Sequence, residues 1–320
     1  MTVDKKMYHK DLQGQYGAGR FLVSMARRRW SLPILHFMVS TVRGRKVKEA
    51  INETHYVQST TTPDHKIQVR VYRPKGVEGP IPAMLYCHGG GYMMGLPEQS
   101  LAFYGDLLKR RDVAIIAPDY RLSRKDPYPA GFNDCYDTLL WMRDNAQQLN
   151  ISPDNFIIAG HSAGGGMTAA LTLKVRDTQD VKLAFQMPIY PMLDHRMTTE
   201  SSQMLGSPVW DAKSNAFAWN LYLRNLKNQK IPSYASPALN KDYRDFPPTI
   251  SFVGDLEPFY DENVAYIEAL KSAGIPVRFE VFKGGYHGFE VVAPKTPFGQ
   301  KANQFQLDAF EEFYDRYIEQ

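Results

Sequence analysis

The chain has 320 residues, enough for one large α/β domain or two small ones with a substantial buried core. Its 43% hydrophobic and 22% charged residues are ordinary for a soluble globular enzyme. The net charge of +4 is uneven, because residues 1–50 hold eleven Lys/Arg against three Asp/Glu. No apolar run approaches the roughly 18 residues that cross a bilayer, and the amino terminus lacks the apolar core of a secretory signal. We therefore expect a cytoplasmic protein without stable membrane insertion.

Residues 5–50 show apolar positions at helical spacing and predict two or three amphipathic helices, interrupted at Leu32-Pro33. We interpret residues 1–50 as the amino-terminal part of a helical cap that lies over a sheet as a lid. The basic run Arg27-Arg28-Arg29 is compatible with anionic substrates, lipid surfaces or acidic partners. A solvated helix face is the plainer interpretation.

From residue 51 onward the pattern changes to strands and helices. A hairpin is predicted over 55–57 and 67–72 with its turn at 63–64. Strands and helices then alternate, which predicts a mostly parallel sheet with helices on both faces. The predicted strands are 83–87, 113–117, 156–159, 183–189, 249–253 and 277–282, and the predicted helices are 100–111, 133–149, 167–175, 260–273 and 302–318.

The alternation is interrupted between residues 194 and 237, which predict a helical insertion rich in aromatic and aliphatic side chains. We expect this insertion to complete the cap, because it leaves the sheet at the edge where the functional residues should lie. The core would then comprise 51–193 and 238–320. Cys87 and Cys135 are predicted to be buried free thiols rather than a disulfide.

The sequence Gly160-His161-Ser162-Ala163-Gly164 matches G-x-S-x-G and lies between a predicted strand and a predicted helix. This arrangement forces a sharp turn with a strained serine at its apex, exposed at the carboxyl edge of the sheet. Ser162 is the candidate nucleophile. The motif by itself occurs by chance in many chains, so the interpretation depends on the strand and helix around it.

A serine nucleophile needs a base, and the base needs an acid that fixes its tautomer. In chain order after Ser162, the loops that follow strands offer Asp255, Glu257 and then His287. His287 is the candidate base, because its glycine-flanked loop follows the last strand. The residues themselves leave the acid open between Glu257 and Asp255.

Attack on an ester carbonyl creates an oxyanion, which needs hydrogen-bond donors already in place. The loop His88-Gly89-Gly90-Gly91 follows a buried strand and has backbone N–H groups unobstructed by side chains. We predict an oxyanion hole formed by the N–H groups of Gly89, Gly90 and Ala163. A phosphate cradle is the competing interpretation, but the chain lacks the G-x-x-x-x-G-K-[ST] pattern. No Cys/His cluster has metal-site spacing, and neither a cofactor nor a nucleic-acid partner is implied.

Four motifs in this order resemble the hormone-sensitive-lipase group of α/β-hydrolases: HGGGY at 88–92, DYRL followed by YPA within 119–130, GHSAGG at 160–165 and HGF at 287–289. The resemblance runs from about residue 67 to the carboxyl terminus. It implies an α/β-hydrolase fold, a helical cap and a serine carboxylesterase acting on short to medium acyl esters. It also implies that a homodimer could form through the last strand.

The chain departs from this group at the acid. The group usually has Asp-Pro-Leu followed closely by Asp-Glu, whereas here Glu257-Pro258-Phe259 precedes Asp261-Glu262. Position for position the resemblance puts Glu257 in the catalytic place, with Asp255 as the alternative. Two other functions remain open: an amidase or peptidase with the same triad, and a non-catalytic receptor like the plant gibberellin receptor, which resembles this group but has lost the histidine.

Overall fold

The computed structural model describes residues 2–319, in which eight strands form a single sheet in the order β1-β2-β4-β3-β5-β6-β7-β8. The β1/β2 and β2/β4 pairs are antiparallel and the other five pairs are parallel. The strands are β1 (Ala50–Gln58), β2 (Lys66–Pro74), β3 (Ile81–Cys87), β4 (Ala114–Pro118), β5 (Ile151–His161), β6 (Leu183–Ile189), β7 (Thr249–Gly254) and β8 (Val277–Phe282). The predicted α/β-hydrolase sheet is therefore confirmed.

Helices cover both faces of this sheet, and short 3₁₀ turns lie between them. The helices are α1 (Tyr16–Ala26), α2 (Leu32–Ser40), α3 (Leu101–Leu108), α4 (Ala130–Asp144), α5 (Ala146–Leu149), α6 (Ala163–Thr178), α7 (Ala212–Tyr222), α8 (Tyr260–Ser272), α9 (Phe289–Val292) and α10 (Pro297–Tyr317). Among residues 2–319, no helix combines the length and the apolarity that crossing a membrane requires.

Strand β5 shows why the central strands are continuously apolar. Phe156 and Ile158 pack in the core cluster that also contains residues of α4 and α6. Ile157 and Ala159 point the other way, into the cluster that contains residues of α3 and α10. Because successive side chains of a strand face opposite sides of the sheet, a strand covered on both faces needs an apolar residue at every position.

Several element boundaries differ from the sequence prediction. The helix expected over 133–149 is divided at Asn145 into α4 and α5. The expected strand 156–159 begins at Ile151, and the expected helix 302–318 begins at Pro297, whose missing N–H costs nothing in a first helical turn. Pro33, expected to break a helix, likewise lies in the first turn of α2.

The segment 194–237 is less helical than expected. Its α-helix α7 has eleven residues, and the rest of the segment consists of short 3₁₀ turns and irregular backbone. Gly206, Pro208 and Pro232 interrupt the aromatic and aliphatic pattern that suggested more helix. The apolar residues of this segment are nevertheless buried, including Met204, Trp210 and Trp219.

The amino-terminal residues lie in two places. Helix α1 lies against the 194–237 segment, where a Cβ on Gly19 would meet Pro208. Arg27, directly after α1, forms an ion pair with the buried Asp211. Residues before α1 contact both the 194–237 segment and the loop after β8. The N–H of Val3 donates to the carbonyl of Leu205 (2.9 Å), the N–H of His9 donates to the carbonyl of Gly284 (3.0 Å), and the N–H of Phe298 donates to Asp11 (3.1 Å).

Candidate active site

Ser162 lies at the sharp turn between β5 and α6, at the edge where the parallel strands end. Its backbone has φ +60° and ψ −120°, a conformation that costs a non-glycine residue about 1–3 kcal/mol. A Cβ on Gly164 would overlap the carbonyl of Cys87, and a Cβ on Gly160 would overlap the carbonyl of Gly164. The two glycines therefore let strand and helix approach closely enough to hold the strained serine.

The structure brings Ser162, His287 and Glu257 together from three different loops. His287 Nε2 lies 2.7 Å from Ser162 Oγ, and His287 Nδ1 lies 2.5 Å from Glu257 Oε2. The other carboxylate oxygen of Glu257 accepts a hydrogen bond from the N–H of Gly254 (3.2 Å). All three functional side chains are buried. This chain of contacts can transfer a proton from the hydroxyl to the imidazole and stabilise the resulting imidazolium.

Asp255, the alternative acid, points elsewhere. Its carboxylate accepts a hydrogen bond from the N–H of Gly284 (2.7 Å), in the turn after β8. Burial raises the pKa of this carboxyl group. Of the two carboxylates in the loop after β7, only Glu257 contacts His287. Asp255 instead links this loop to the turn after β8.

Aromatic rings enclose the imidazole of His287. The rings of Tyr190 and Phe259 stand edge-on to it, with centroids 4.8 and 5.0 Å away, and Trp210 lies at 6.5 Å. Such packing restricts the rotamer of the imidazole and excludes water from it. Sequence reasoning did not identify these residues as part of the site, although Tyr190 follows β6 directly and Phe259 follows the Glu-Pro pair. Their positions at the ends of parallel strands were the available signal.

The glycine loop after β3 borders Ser162. A Cβ on Gly89 would lie 3.6 Å from Ser162 Cβ, and Gly90 has φ +122°. Within residues 2–319, no backbone carbonyl accepts a hydrogen bond from the N–H of Gly89, Gly90 or Ala163. Ala163 is the first residue of α6, so its N–H has no partner within the helix, and the positive end of the helix dipole points toward the site.

Side chains hold this loop from behind. His88 Nδ1 and Gln99 Nε2 lie 2.9 and 3.1 Å from the carbonyl oxygen of Gly89, and the hydroxyl of Tyr120 donates to the carbonyl of His88 (2.7 Å). The imidazole of His88 stacks on the ring of Tyr120 at 4.1 Å. Burial lowers the pKa of His88 to about 4, so this histidine is neutral at pH 7. The sequence motif identified His88 and the glycines, but not Gln99 as their support.

Comparison with known protein families agrees with this geometry. A model of a family with the α/β-hydrolase fold matches residues 84–291, which include every residue predicted for the site. The chain belongs to the α/β-hydrolase fold family. The match also confirms the predicted resemblance to the hormone-sensitive-lipase group of that fold.

Individual relatives of this α/β-hydrolase carry esterase names. Carboxylesterase NlhH of Mycobacterium tuberculosis is 30% identical over 239 residues, 71% of this chain and 73% of the relative. An arylesterase of Saccharolobus solfataricus is 27% identical over 258 residues, 78% of this chain and 80% of the relative. Among solved structures, a bacterial heroin esterase superposes with a TM-score of 0.88 at 26% identity, covering 97% of this chain and 99% of that one.

A second buried acid lies behind the histidine. Glu290, in α9, accepts a hydrogen bond from the hydroxyl of Tyr190, the residue whose ring packs against His287. Burial raises the pKa of Glu290 to about 7. No sequence motif of this α/β-hydrolase pointed to Glu290, because an isolated glutamate after the histidine has the pattern of an ordinary first-turn helix residue.

The side chains brought together in this site are a hydroxyl, an imidazole and a carboxylate. Within residues 2–319, no group of three or more His, Cys, Asp or Glu side chains is placed to hold a metal ion. Cys87 and Cys135 are both buried free thiols. The chemistry that this arrangement supports is nucleophilic attack by a serine hydroxyl assisted by an imidazole.

Proposed function

We propose that this α/β-hydrolase is a serine carboxylesterase that hydrolyses short to medium acyl esters through an acyl-enzyme. The observation that carries the proposal is the unbroken contact from Ser162 Oγ through His287 to Glu257. The esterase names of relatives that share more than two thirds of their length with this chain support the same reaction.

In the first half of the reaction, His287 Nε2 accepts the proton of Ser162 as Oγ attacks the ester carbonyl carbon. The carbonyl π electrons move to the oxygen, which becomes the oxyanion of a tetrahedral intermediate. Glu257 keeps the proton of His287 on Nδ1 and stabilises the imidazolium. The N–H groups of Gly89, Gly90 and Ala163 donate to the oxyanion, and loss of one such donor typically costs on the order of 10²–10³ in rate.

In the second half, the intermediate collapses and the alcohol leaves with the proton from His287 Nε2. The acyl group remains on Ser162 Oγ. A water molecule then gives a proton to His287 and attacks the acyl carbon through the same oxyanion contacts. The carboxylic acid is released when His287 returns its proton to Ser162 Oγ.

We also propose that residues 1–50 and 194–237 form a cap over a core made of 51–193 and 238–320. The ion pair between Arg27 and Asp211 supports this division, as does the packing of Trp210 at the place where a Cβ on Gly91 would lie. The residues before α1 contact both the 194–237 segment, through Val3 and Leu205, and the loop after β8, through His9 and Gly284. The aromatic rings of Tyr190, Trp210 and Phe259 around His287 favour an apolar acyl or alcohol group in a small-molecule substrate.

Hydrolysis of p-nitrophenyl esters in a series of acyl lengths tests the proposal. We expect Ser162→Ala to reduce kcat by at least about 10⁴-fold with an unchanged circular dichroism spectrum. Full activity in Ser162→Ala would refute the acyl-enzyme. A matched amide separates the alternatives: faster cleavage of the amide than of the ester would indicate an amidase, and binding without turnover of either would indicate a receptor.

Two further expectations stay predictions. The amino-terminal sequence predicts a cytoplasmic location. A homodimer through the last strand is compatible with the position of β8 at one edge of the sheet, where its outer backbone groups are open to pairing.

A further inference from the structure

Large apolar side chains point into solvent along α1, α2 and the linker between them. The structure describes ten exposed large hydrophobic side chains within residues 2–319, and five of them fall between residues 21 and 38. They are Phe37 (70% exposed), Phe21 (66%), Trp30 (59%), Met38 (56%) and Ile34 (48%). Scattered exposed apolar residues are normal, but a local group of this kind marks an interaction surface.

In helix α2, the exposed apolar side chains are not needed to pack the helix on its own protein. Its inner side is formed by the buried Leu32 and the partly buried Leu35. Ile34, Phe37 and Met38 form a second apolar side at spacings of three and four residues, and this side faces outward. A surface helix needs only one apolar side to pack on its own protein. None of the nine residues of α2 is Lys, Arg, Asp or Glu. The outer side of the helix is therefore suited to contact with an apolar phase.

The same stretch is strongly basic. Residues 16–48 contain eight Lys/Arg and no Asp or Glu. Arg27 and Arg43 form ion pairs with Asp211 and Asp119. The remaining basic residues are all exposed: Arg20, Arg28, Arg29, Arg45, Lys46 and Lys48. A partner that combines negative charge with an apolar phase would therefore suit this stretch.

We propose that this surface, residues 16–48, binds an anionic lipid membrane. Aromatic and aliphatic side chains would enter the boundary between head groups and acyl chains, while the basic residues contact lipid phosphates. Trp30 suits this boundary because its ring is apolar and its N–H is polar. A second copy of the chain is a poor alternative occupant, since a symmetric interface would bring the same basic residues together.

The position of the surface gives the binding a consequence. Arg27, directly after α1, forms an ion pair with Asp211, and the neighbouring Trp210 lines the active site. A membrane bound by α1 and α2 would therefore lie close to the segment that contributes Trp210 to the rings around His287. Esters that partition into the bilayer would be concentrated beside the enzyme.

Vesicle co-sedimentation of the 320-residue chain carrying Ser162→Ala tests the proposal without turnover, so its outcome is independent of the esterase proposal. We expect binding to phosphatidylcholine vesicles that contain phosphatidylglycerol, weak binding to pure phosphatidylcholine, and loss of binding at high salt. The double variant Arg28→Gln/Arg29→Gln should bind roughly 30-fold more weakly, at about fivefold for each basic residue near an anionic surface. Phe37→Ser should bind at least about tenfold more weakly.

Matched controls remove the same groups elsewhere on the surface. Lys66→Gln/Lys182→Gln removes two exposed charges and Val291→Ser removes an exposed apolar side chain on α9, and both should bind as the parent does. Equal binding to both vesicle types, binding to neither, or equal losses in the controls would overturn the proposal. So would binding to soluble polyglutamate that is as tight as to vesicles and unaffected by Phe37→Ser, because that result would indicate an acidic macromolecule as the partner.

Discussion

Replacing the buried Glu290 by glutamine tests the charge of the protein interior beside His287. Glutamine keeps the shape of the side chain and an oxygen that accepts the hydrogen bond from Tyr190, but it cannot ionise. Burial raises the pKa of Glu290 from 4.5 to about 7 in the folded protein. A carboxyl group with a raised pKa holds its proton more tightly in the folded state than in the unfolded state.

The sign and size of the effect follow from proton linkage. Between pH 4.5 and 7 the folded state binds more protons at Glu290 than the unfolded state does, so the free energy of unfolding falls as the pH rises. At 1.36 kcal/mol for each pKa unit, the total loss is about 3 kcal/mol, most of which falls between pH 5 and pH 8. Above pH 8 this contribution is constant.

Urea unfolding of the parent and of Glu290→Gln at several pH values between 5 and 8 measures this difference. We expect the free energy of unfolding of the glutamine variant to rise by about 2–3 kcal/mol relative to the parent across this range, whatever the difference between the two proteins at pH 5. Glu78→Gln, in the exposed turn after β2, is the matched control for the loss of a glutamate. A difference between Glu290→Gln and the parent that stays constant from pH 5 to pH 8 would refute the reasoning.

Three further predictions test the active site. Glu257→Gln should lower kcat by about 10³–10⁴-fold because the imidazolium loses its charged partner, whereas Asp255→Asn should lower kcat less than about tenfold because asparagine still accepts from the N–H of Gly284. Gly91→Ala should lower the free energy of unfolding by about 1–3 kcal/mol, since φ is +61° and its Cβ would meet Trp210. That cost should be smaller in a Trp210→Ala background. Gln99→Leu should reduce kcat by roughly tenfold with little change in KM, as the oxyanion loop loses a support but no donor.

Each of these substitutions has an outcome that contradicts its reasoning. A larger loss of kcat in Asp255→Asn than in Glu257→Gln would transfer the acid role to Asp255. Additive costs of Gly91→Ala and Trp210→Ala in a double-mutant cycle would mean that the two residues do not compete for space. A rise in KM without a change in kcat for Gln99→Leu would place Gln99 in substrate binding rather than in support of the loop.

The positions of the proposed nucleophile, the proposed base and the glycine loop could be predicted from sequence because each is specified by neighbours in the chain. Ser162 needs a buried strand before it, a helix after it and glycines on both sides, and all of these lie within about a dozen residues. His287 and Gly89 likewise lie in the loops that follow β8 and β3. The order of strands and helices around them predicted the parallel sheet, and the structure confirms it.

The sequence determined which loops carry the functional groups, since local periodicity and turn chemistry are properties of short segments. Only the tertiary structure decided which carboxylate meets the histidine, because Asp255 and Glu257 share one loop and their partners, Gly284 and His287, come from another. It also decided that Trp210 covers the glycine loop and that Glu290 is buried beside Tyr190. These contacts join residues far apart in the chain, and their energies depend on burial and direction, which a linear pattern does not encode.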